Sequence, residues 1–228
     1  MNPDLILALD TSSDAGVALY RDGQVLSARR SGTDRRHAET LIPMVQDSLA
    51  EAGLEVSDVD AVVVGTGPAP FTGLRAGLAT AQAFAQARDI DVAGVCSLDA
   101  LALAAGTGEV LVVSDARRRE LYYARYQVGD QDVTPTHPPA VADPEQIAAE
   151  HTDLIRTGQV RGPGLAVAAD RLGLGPEAAH GPATDPVDPV NLARIAIRRR
   201  VTGGDLSVAP RYLRRPDVHP AGARKRVR

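Results

Sequence analysis

The sequence predicts an α/β chain made of two tandem lobes, the second shortened. Three observations carry that expectation. Residues 5–12, Leu-Ile-Leu-Ala-Leu-Asp10-Thr11-Ser12, form an apolar strand that ends abruptly in an acid and two hydroxyls. A segment about 105 residues later, Glu109-Val-Leu-Val-Val-Ser-Asp115, repeats the strand-then-acid pattern, and Leu121–Tyr126 repeats the strand that follows. Twelve of the sixteen prolines lie beyond residue 130, so the second copy is expected to lose long regular elements.

The first half reads element by element. After the strand at 5–10 come a second strand, Gly16–Tyr20, a turn at Asp22-Gly23 and a third strand, Gln24–Ala28. A helix is expected over His37–Ala52, because Leu41, Met44, Val45, Ser48, Leu49 and Ala52 fall at helical spacing. Pro43 lies inside it and should kink or tighten it, since its ring displaces a carbonyl one turn back. Gly53 suits a C-cap. Asp60–Gly65 reads as a buried strand, about Thr72–Ala87 as a helix, Asp91–Val95 as a parallel strand, and Ser97-Leu98-Asp99 as the start of another helix. The order β-β-β-α-β-α-β-α resembles an RNase H-like half of the actin-like ATPase (ASKHA) fold, shared by sugar-kinase and Hsp70-type domains. In that class the strand-end acid organises a metal or water, and the hydroxyl residues lie beside a phosphate. The boundary is placed near Gly106-Thr-Gly108. Residues 1–105 form the first lobe and 106–210 the degenerate second. Residues 211–228 form a basic tail expected to be partly disordered. Short elements are expected at Asp143–Glu150, with Pro144 at the first helical position, at Gly158–Arg161 and at Asn191–Val201.

Composition narrows the function classes. The chain has 228 residues, 44% of them apolar, and a net charge of −4, which supplies no global attraction to nucleic acid. One cysteine, Cys96, excludes an internal disulfide and fits a reducing compartment. The N-terminal apolar run is too short to span a membrane and lacks the basic flank of a signal peptide. A cytoplasmic protein with no membrane partner is expected.

Several motifs invite chemistry. Gly65-Thr-Gly-Pro-Ala-Pro-Phe-Thr-Gly73-Leu-Arg-Ala-Gly77 forces a tight strand-to-helix turn and opens a helix N-terminus that can hold an anion. It is neither a dinucleotide fingerprint, having Pro70 where glycine is required, nor a P-loop, lacking Gly-Lys-Ser/Thr. Within the helix, Gly73, Gly77 and Ala81 make a small-residue stripe, with Ala76 and Thr80 beside it. Glycine inside a helix costs about 1 kcal/mol relative to alanine, so close approach by another element should offset it. A partner helix and this lobe's own sheet are the two candidates. Asp10, Thr11 and Ser12 are candidates for a nucleotide site through Mg²⁺. The matching second-half segment, Asp115-Ala-Arg-Arg-Arg-Glu120, offers neither glycine nor hydroxyl. His37-Ala-Glu39-Thr-Leu41 has the wrong spacing for HExxH, and Leu41 stands where a His-x-x-x-His pair needs its second histidine. His137, His151, His180 and His219 show no mutual spacing, and no metal site is expected. Arg117–Arg119, Arg198–Arg200 and the tail are basic clusters, either solvated or in contact with RNA or a partner.

These segments together are similar to one family, the bacterial tRNA threonylcarbamoyladenosine-biosynthesis subunits called TsaB or YeaZ. The similar blocks are Leu-Ala-Leu-Asp-Thr-Ser-Ser at 7–13, Arg-His-Ala-Glu-Thr-Leu-Ile-Pro-Met-Val at 36–45, the glycine-proline block at 65–77, Gly-Val-Cys-Ser-Leu-Asp-Ala-Leu at 94–101, Asp-Ala-Arg-Arg-Arg-Glu-Leu-Tyr-Tyr-Ala at 115–124, and Pro210-Arg-Tyr-Leu-Arg214. Ala69-Pro70 departs from the family's more usual Gly-Ser.

The resemblance implies a non-catalytic, glycoprotease-like paralogue of the transferase TsaD. That enzyme moves threonylcarbamoyl onto the adenosine beside the anticodon. The implied partners are a TsaD-type transferase in a heterodimer and a TsaE-type ATPase. A homodimer is the candidate state of the free chain, and tRNA is met only through the complex. No cofactor is required, with ATP or ADP and Mg²⁺ as candidates at the complex interface. The implied interface is a bundle of the two first-lobe helices from each partner, here carried by His37, Leu41, Met44, Val45, Leu49, Gly73, Ala76, Gly77, Thr80 and Ala81. Two other readings stay open: an actin-like ATPase or small-molecule kinase using Asp10, and a glycoprotease-like peptidase, which the missing ligand set disfavours.

Overall fold

The computed structural model describes residues 5–32 and 37–214, without the side chains of His37 and Ala38. It is a mixed α/β structure with two sheets. The first contains β1 (Leu5–Asp10), β2 (Gly16–Arg21), β3 (Gln24–Arg30), β4 (Ala61–Gly65) and β5 (Asp91–Val95), in the order β3-β2-β1-β4-β5. β1 runs antiparallel to β2 and parallel to β4, and β4 runs parallel to β5. The second sheet contains β6 (Gly108–Asp115), β7 (Leu121–Val128), β8 (Val133–Ala142) and the two-residue β9 (Val160–Arg161), in the order β8-β7-β6-β9. Its connections repeat those of the first four strands, antiparallel on one side of β6 and parallel on the other.

Alternation along the strands decides where the helices sit. Leu5, Leu7 and Leu9 face one side of β1 and Ile6 and Ala8 the other, as a period of two requires. The leucine side meets α1 (His37–Glu51) and α2 (Phe71–Arg88). The opposite side meets α7 (Pro189–Thr202), which packs on α3 (Ser97–Leu103), and α3 lies against the second sheet, whose Val110, Val112, Ala124 and Tyr126 join the same apolar cluster. Beyond the second sheet lie α4 (Pro144–Glu150), α5 (Thr152–Arg156) and α6 (Leu165–Ala168), closing a third apolar cluster around Leu111, Leu121 and Ile147.

One expectation changes. β8 is a ten-residue strand despite Pro135, Pro138 and Pro139. It lies at the sheet edge, where a missing N–H leaves no central ladder bond broken. Near the C-terminus, residues 211–214 are tied down: the Arg211 N–H donates to Thr66 O at 2.9 Å, and Arg214 pairs with Glu120. The remainder of the basic tail, 215–228, lies outside the described residues. α1 runs on through Pro43, and Gly53 follows in a left-handed conformation (φ 66°).

Candidate functional site

The C-terminal ends of β1 and β4 and the N-termini of α2 and α3 converge on Asp10. Its carboxylate is 1% exposed. Oδ1 accepts from the Ser12 N–H at 2.8 Å and from Ser12 Oγ at 2.6 Å. Oδ2 accepts from Ser97 Oγ at 2.7 Å, and that same hydroxyl accepts from the Gly67 N–H at 3.2 Å. A side chain at Gly65 would overlap Oδ2. One buried acid therefore ties the β1 turn, the Gly-Pro loop and the start of α3 together. Both oxygens of this enclosed carboxylate are thus engaged by this chain's own donors. Thr11, also buried, turns away and donates from Oγ1 to the Gly73 carbonyl at 2.8 Å.

That threonine explains Gly77. An added Cβ at Gly77 would overlap Thr11 Oγ1. The close approach that the small residues permit is therefore made by this chain's own β1 turn. Gly77 and Ala81 are buried, as are Leu41, Val45 and Leu49, and all but Gly77 belong to the apolar cluster under the first sheet. These five cannot line an outer face, which corrects the interface expected from the sequence. Met44, Gly73, Ala76 and Thr80 are half-buried, and the His37 side chain lies outside the described residues. The same two helices present other residues to solvent: Ile42 (45% exposed), Pro43 and Gln46 on α1, and Arg75, Ala79 and Ala83 on α2.

Beside the α2 N-terminus lies a basic and aromatic corner that the sequence did not reveal. The Arg75 guanidinium stands 3.6 Å over the Phe71 ring, and its Nε donates to the Tyr212 hydroxyl at 3.0 Å. Tyr212 packs on Phe71 with ring centroids 5.3 Å apart. Residues 212 and 75 meet only because the C-terminal strap returns across the first sheet. Its Leu206 carbonyl accepts from the Gly94 N–H at 2.8 Å on the way. Arg117, Arg118 and Arg119 stand next to this corner as three successive left-handed residues (φ 63°, 53° and 66°). Asp115 holds the first through its N–H at 2.7 Å and its guanidinium at 2.9 Å. Arg171 holds the Arg119 carbonyl at 2.6 Å. A cleft of about 150 Å³ opens between Phe71, Arg117, Arg118, Tyr122, Tyr212 and Arg214.

Two further groups complete the picture. Cys96 is fully buried beside Asp99, and burial pushes its thiol up to about 12. It is not placed to act as a nucleophile. His137 and His151, unrelated by sequence spacing, stand with ring centroids 5.5 Å apart.

Residues 31–170 match the family described as TsaD, tRNA N6-adenosine threonylcarbamoyltransferase. YeaZ from Pseudomonas aeruginosa superposes with a TM-score of 0.73 at 31% identity, over 92% of this chain and 100% of that one. The chain belongs to the TsaB, or YeaZ, branch of that family. An uncharacterized protein of Mycobacterium tuberculosis is 42% identical over 94% of each chain. The Escherichia coli tRNA threonylcarbamoyladenosine biosynthesis protein TsaB is 40% identical over 127 residues, 54% of each chain. The TsaB family blocks at 7–13, 65–77 and 94–101 are thus the pieces that build the Asp10 knot, and the block at 115–124 builds the arginine turn. No helix among the described residues is long and apolar enough to cross a membrane.

Proposed function

We propose that this chain is a non-catalytic subunit in the synthesis of threonylcarbamoyladenosine in tRNA, where it docks on and supports a TsaD-type transferase, with a TsaE-type ATPase joining the pair. The reading draws on its relatives, whose names place them in that biosynthesis. The observation that carries it is the enclosure of Asp10. The acid that a working actin-like ATPase would turn toward magnesium here bonds Ser12 and Ser97, so the site holds structure together. We read the two sheets as two lobes of the actin-like class, divided near Gly106, with α7 wedged between them. No nucleotide is required at Asp10, and the chain acts in the cytoplasm.

Docking uses the outer faces of α1 and α2. Ala79 and Ala83 leave a smooth surface, and Ile42 supplies exposed apolar area. Small side chains let helix backbones approach closely, so a large charged group there should block a partner without touching this chain's own core. The test is co-purification with the TsaD-type protein of the same genome, with the mass measured by light scattering. Wild type is expected to form a stable heterodimer. Ala79→Arg combined with Ile42→Glu should remain folded, by circular dichroism, and lose it. Retention of full affinity in that double variant would remove α1 and α2 from the interface. Failure of the wild-type chain to bind, with or without the ATPase and nucleotide, would overturn the scaffold reading and return attention to Asp10.

A further inference from the structure

Away from the Asp10 knot, on the far side of the second sheet, three side chains from two elements converge. His137 lies on the edge strand β8. Glu150 ends α4, and His151 stands at the α4–α5 junction. One donor atom from each lies within 4.8 Å of the other two. The two imidazoles meet edge-on at 83°, and the Tyr123 ring stacks against His137 at 5.1 Å and contacts His151 at 5.6 Å. His151 is 5% exposed, and its Nε2 is buried without a hydrogen-bond partner, as is Nδ1 of His137. Buried polar atoms are nearly always satisfied, so two orphaned imidazole nitrogens in one cluster need an explanation.

We propose that His137, His151 and Glu150 form a binding site for one zinc-type divalent cation. Two neutral imidazoles and a carboxylate are a donor set that borderline metals favour, whereas calcium and magnesium prefer all-oxygen shells. Zinc–nitrogen bonds of about 2.0–2.1 Å set tetrahedral donors roughly 3.4 Å apart, so these three must close by up to about 1.4 Å. Glu150, an exposed side chain, would make most of that movement. Its carboxylate is already oriented from behind: Gln146 Nε2 donates to Oε1 at 2.9 Å and the Tyr123 hydroxyl to Oε2 at 3.3 Å. Such outer partners are the usual support of a metal ligand. The neighbouring cation, Arg125, is engaged by Glu109 at 2.9 Å and Asp153 at 2.7 Å and so repels an incoming ion less. Three protein ligands leave a fourth position for water. The bound ion would clip the proline-rich edge strand β8 to the α4–α5 junction.

The experiment uses the full chain, stripped of metal with a chelator and titrated with Zn²⁺ alone against a competing indicator. Co²⁺ in the same protein serves as the spectroscopic probe. Wild type should take up one equivalent of zinc, melt at a higher temperature with it, and give the intense visible bands of four-coordinate cobalt. His137→Gln should abolish that uptake. Glu150→Gln, an exposed change that leaves the fold intact by circular dichroism, should weaken it by at least about tenfold. His180→Gln, remote from the cluster, should leave it unchanged. Absence of saturable binding at one equivalent in wild type would overturn the proposal. So would binding that survives undiminished in both the His137 and Glu150 variants.

Discussion

At the scale of single residues, the contact between Gly77 and Thr11 decides how the second helix is read. Gly77→Ala would gain helix propensity of about 1 kcal/mol. It would also drive a methyl group into Thr11 Oγ1, and overpacking of that kind typically costs about 1–3 kcal/mol. The net expectation is a loss of stability of about 1 kcal/mol, read from urea midpoints. Thr11→Ala in the same chain should recover most of it, because the two sites share one contact. A Gly77→Ala protein more stable than wild type would mean that the glycine serves something outside this chain. Cys96 offers a second check. With its thiol pushed up to about 12, it should resist alkylation at pH 8 in the native protein and react at once in denaturant. Fast native labelling would show that the Asp99 neighbourhood opens. The identity of the Asp10 site was legible at this scale, since an apolar strand ending in Asp-Thr-Ser is a local pattern. Its use was not. The partner that engages Oδ2, Ser97, lies 87 residues away, and no local spacing announces it.

At the scale of elements, what the sequence showed depended on whether one face or two faces of an element were buried. β1, β4 and the inner sides of α1 and α2 were readable because their apolar residues recur at periods of two and 3.6. The small stripe on α2 was readable as a stripe, but its direction was not. Gly77 and Ala81 face inward, while Ala79 and Ala83 face solvent, and both sets are small. β8 escaped because its prolines argue against a strand unless the strand is known to be an edge. The turn at 117–119 was seen only as a basic cluster, whereas its backbone is the unusual feature. Left-handed conformation costs a non-glycine residue roughly 1–2 kcal/mol, and three occur in a row. Arg119→Gly should therefore stabilise the chain by about 0.5–1 kcal/mol after the added unfolded-state entropy is subtracted. Its urea midpoint measures this directly. An unchanged or lowered midpoint would mean that the Arg119 side chain, exposed beside Glu145, contributes as much as the backbone loses.

At the scale of the whole molecule, the structure is a stack in which two sheets share a central layer of α3 and α7. The strand-then-acid segments at Asp10 and Asp115 end β1 and β6, one in each sheet, but neither says that a helix from residues 189–202 would lie between the sheets. Nothing in the local pattern of α7 says which sheet it packs on; it lies against the first sheet, while α3 lies against the second. One side chain shows how that layer is joined. Arg199 of α7 is 11% exposed; it pairs with Asp99 of α3 at 2.8 Å and with Asp132, in the β7–β8 turn, at 3.0 Å. Tyr126 of β7 donates its hydroxyl to the same Asp99 at 2.7 Å, and burial raises that phenol's pKa well above its ordinary value. A buried ion pair adds little net stability over a well-packed apolar replacement of both partners, but removal of one partner leaves a charge stranded at a cost of about 3–5 kcal/mol. Arg199→Met should lower unfolding stability by about 3 kcal/mol, because Asp99 would then lie uncompensated between the sheets. Arg199→Met with Asp99→Asn should recover a large part of the loss, since no net charge then remains buried at that point. Because the arginine spans the layer between the two sheets, the single variant should weaken both halves together and keep one unfolding transition. Two separate transitions, with the first sheet surviving the second, would show that the halves are stabilised independently and that Arg199 is a local anchor of the β7–β8 turn.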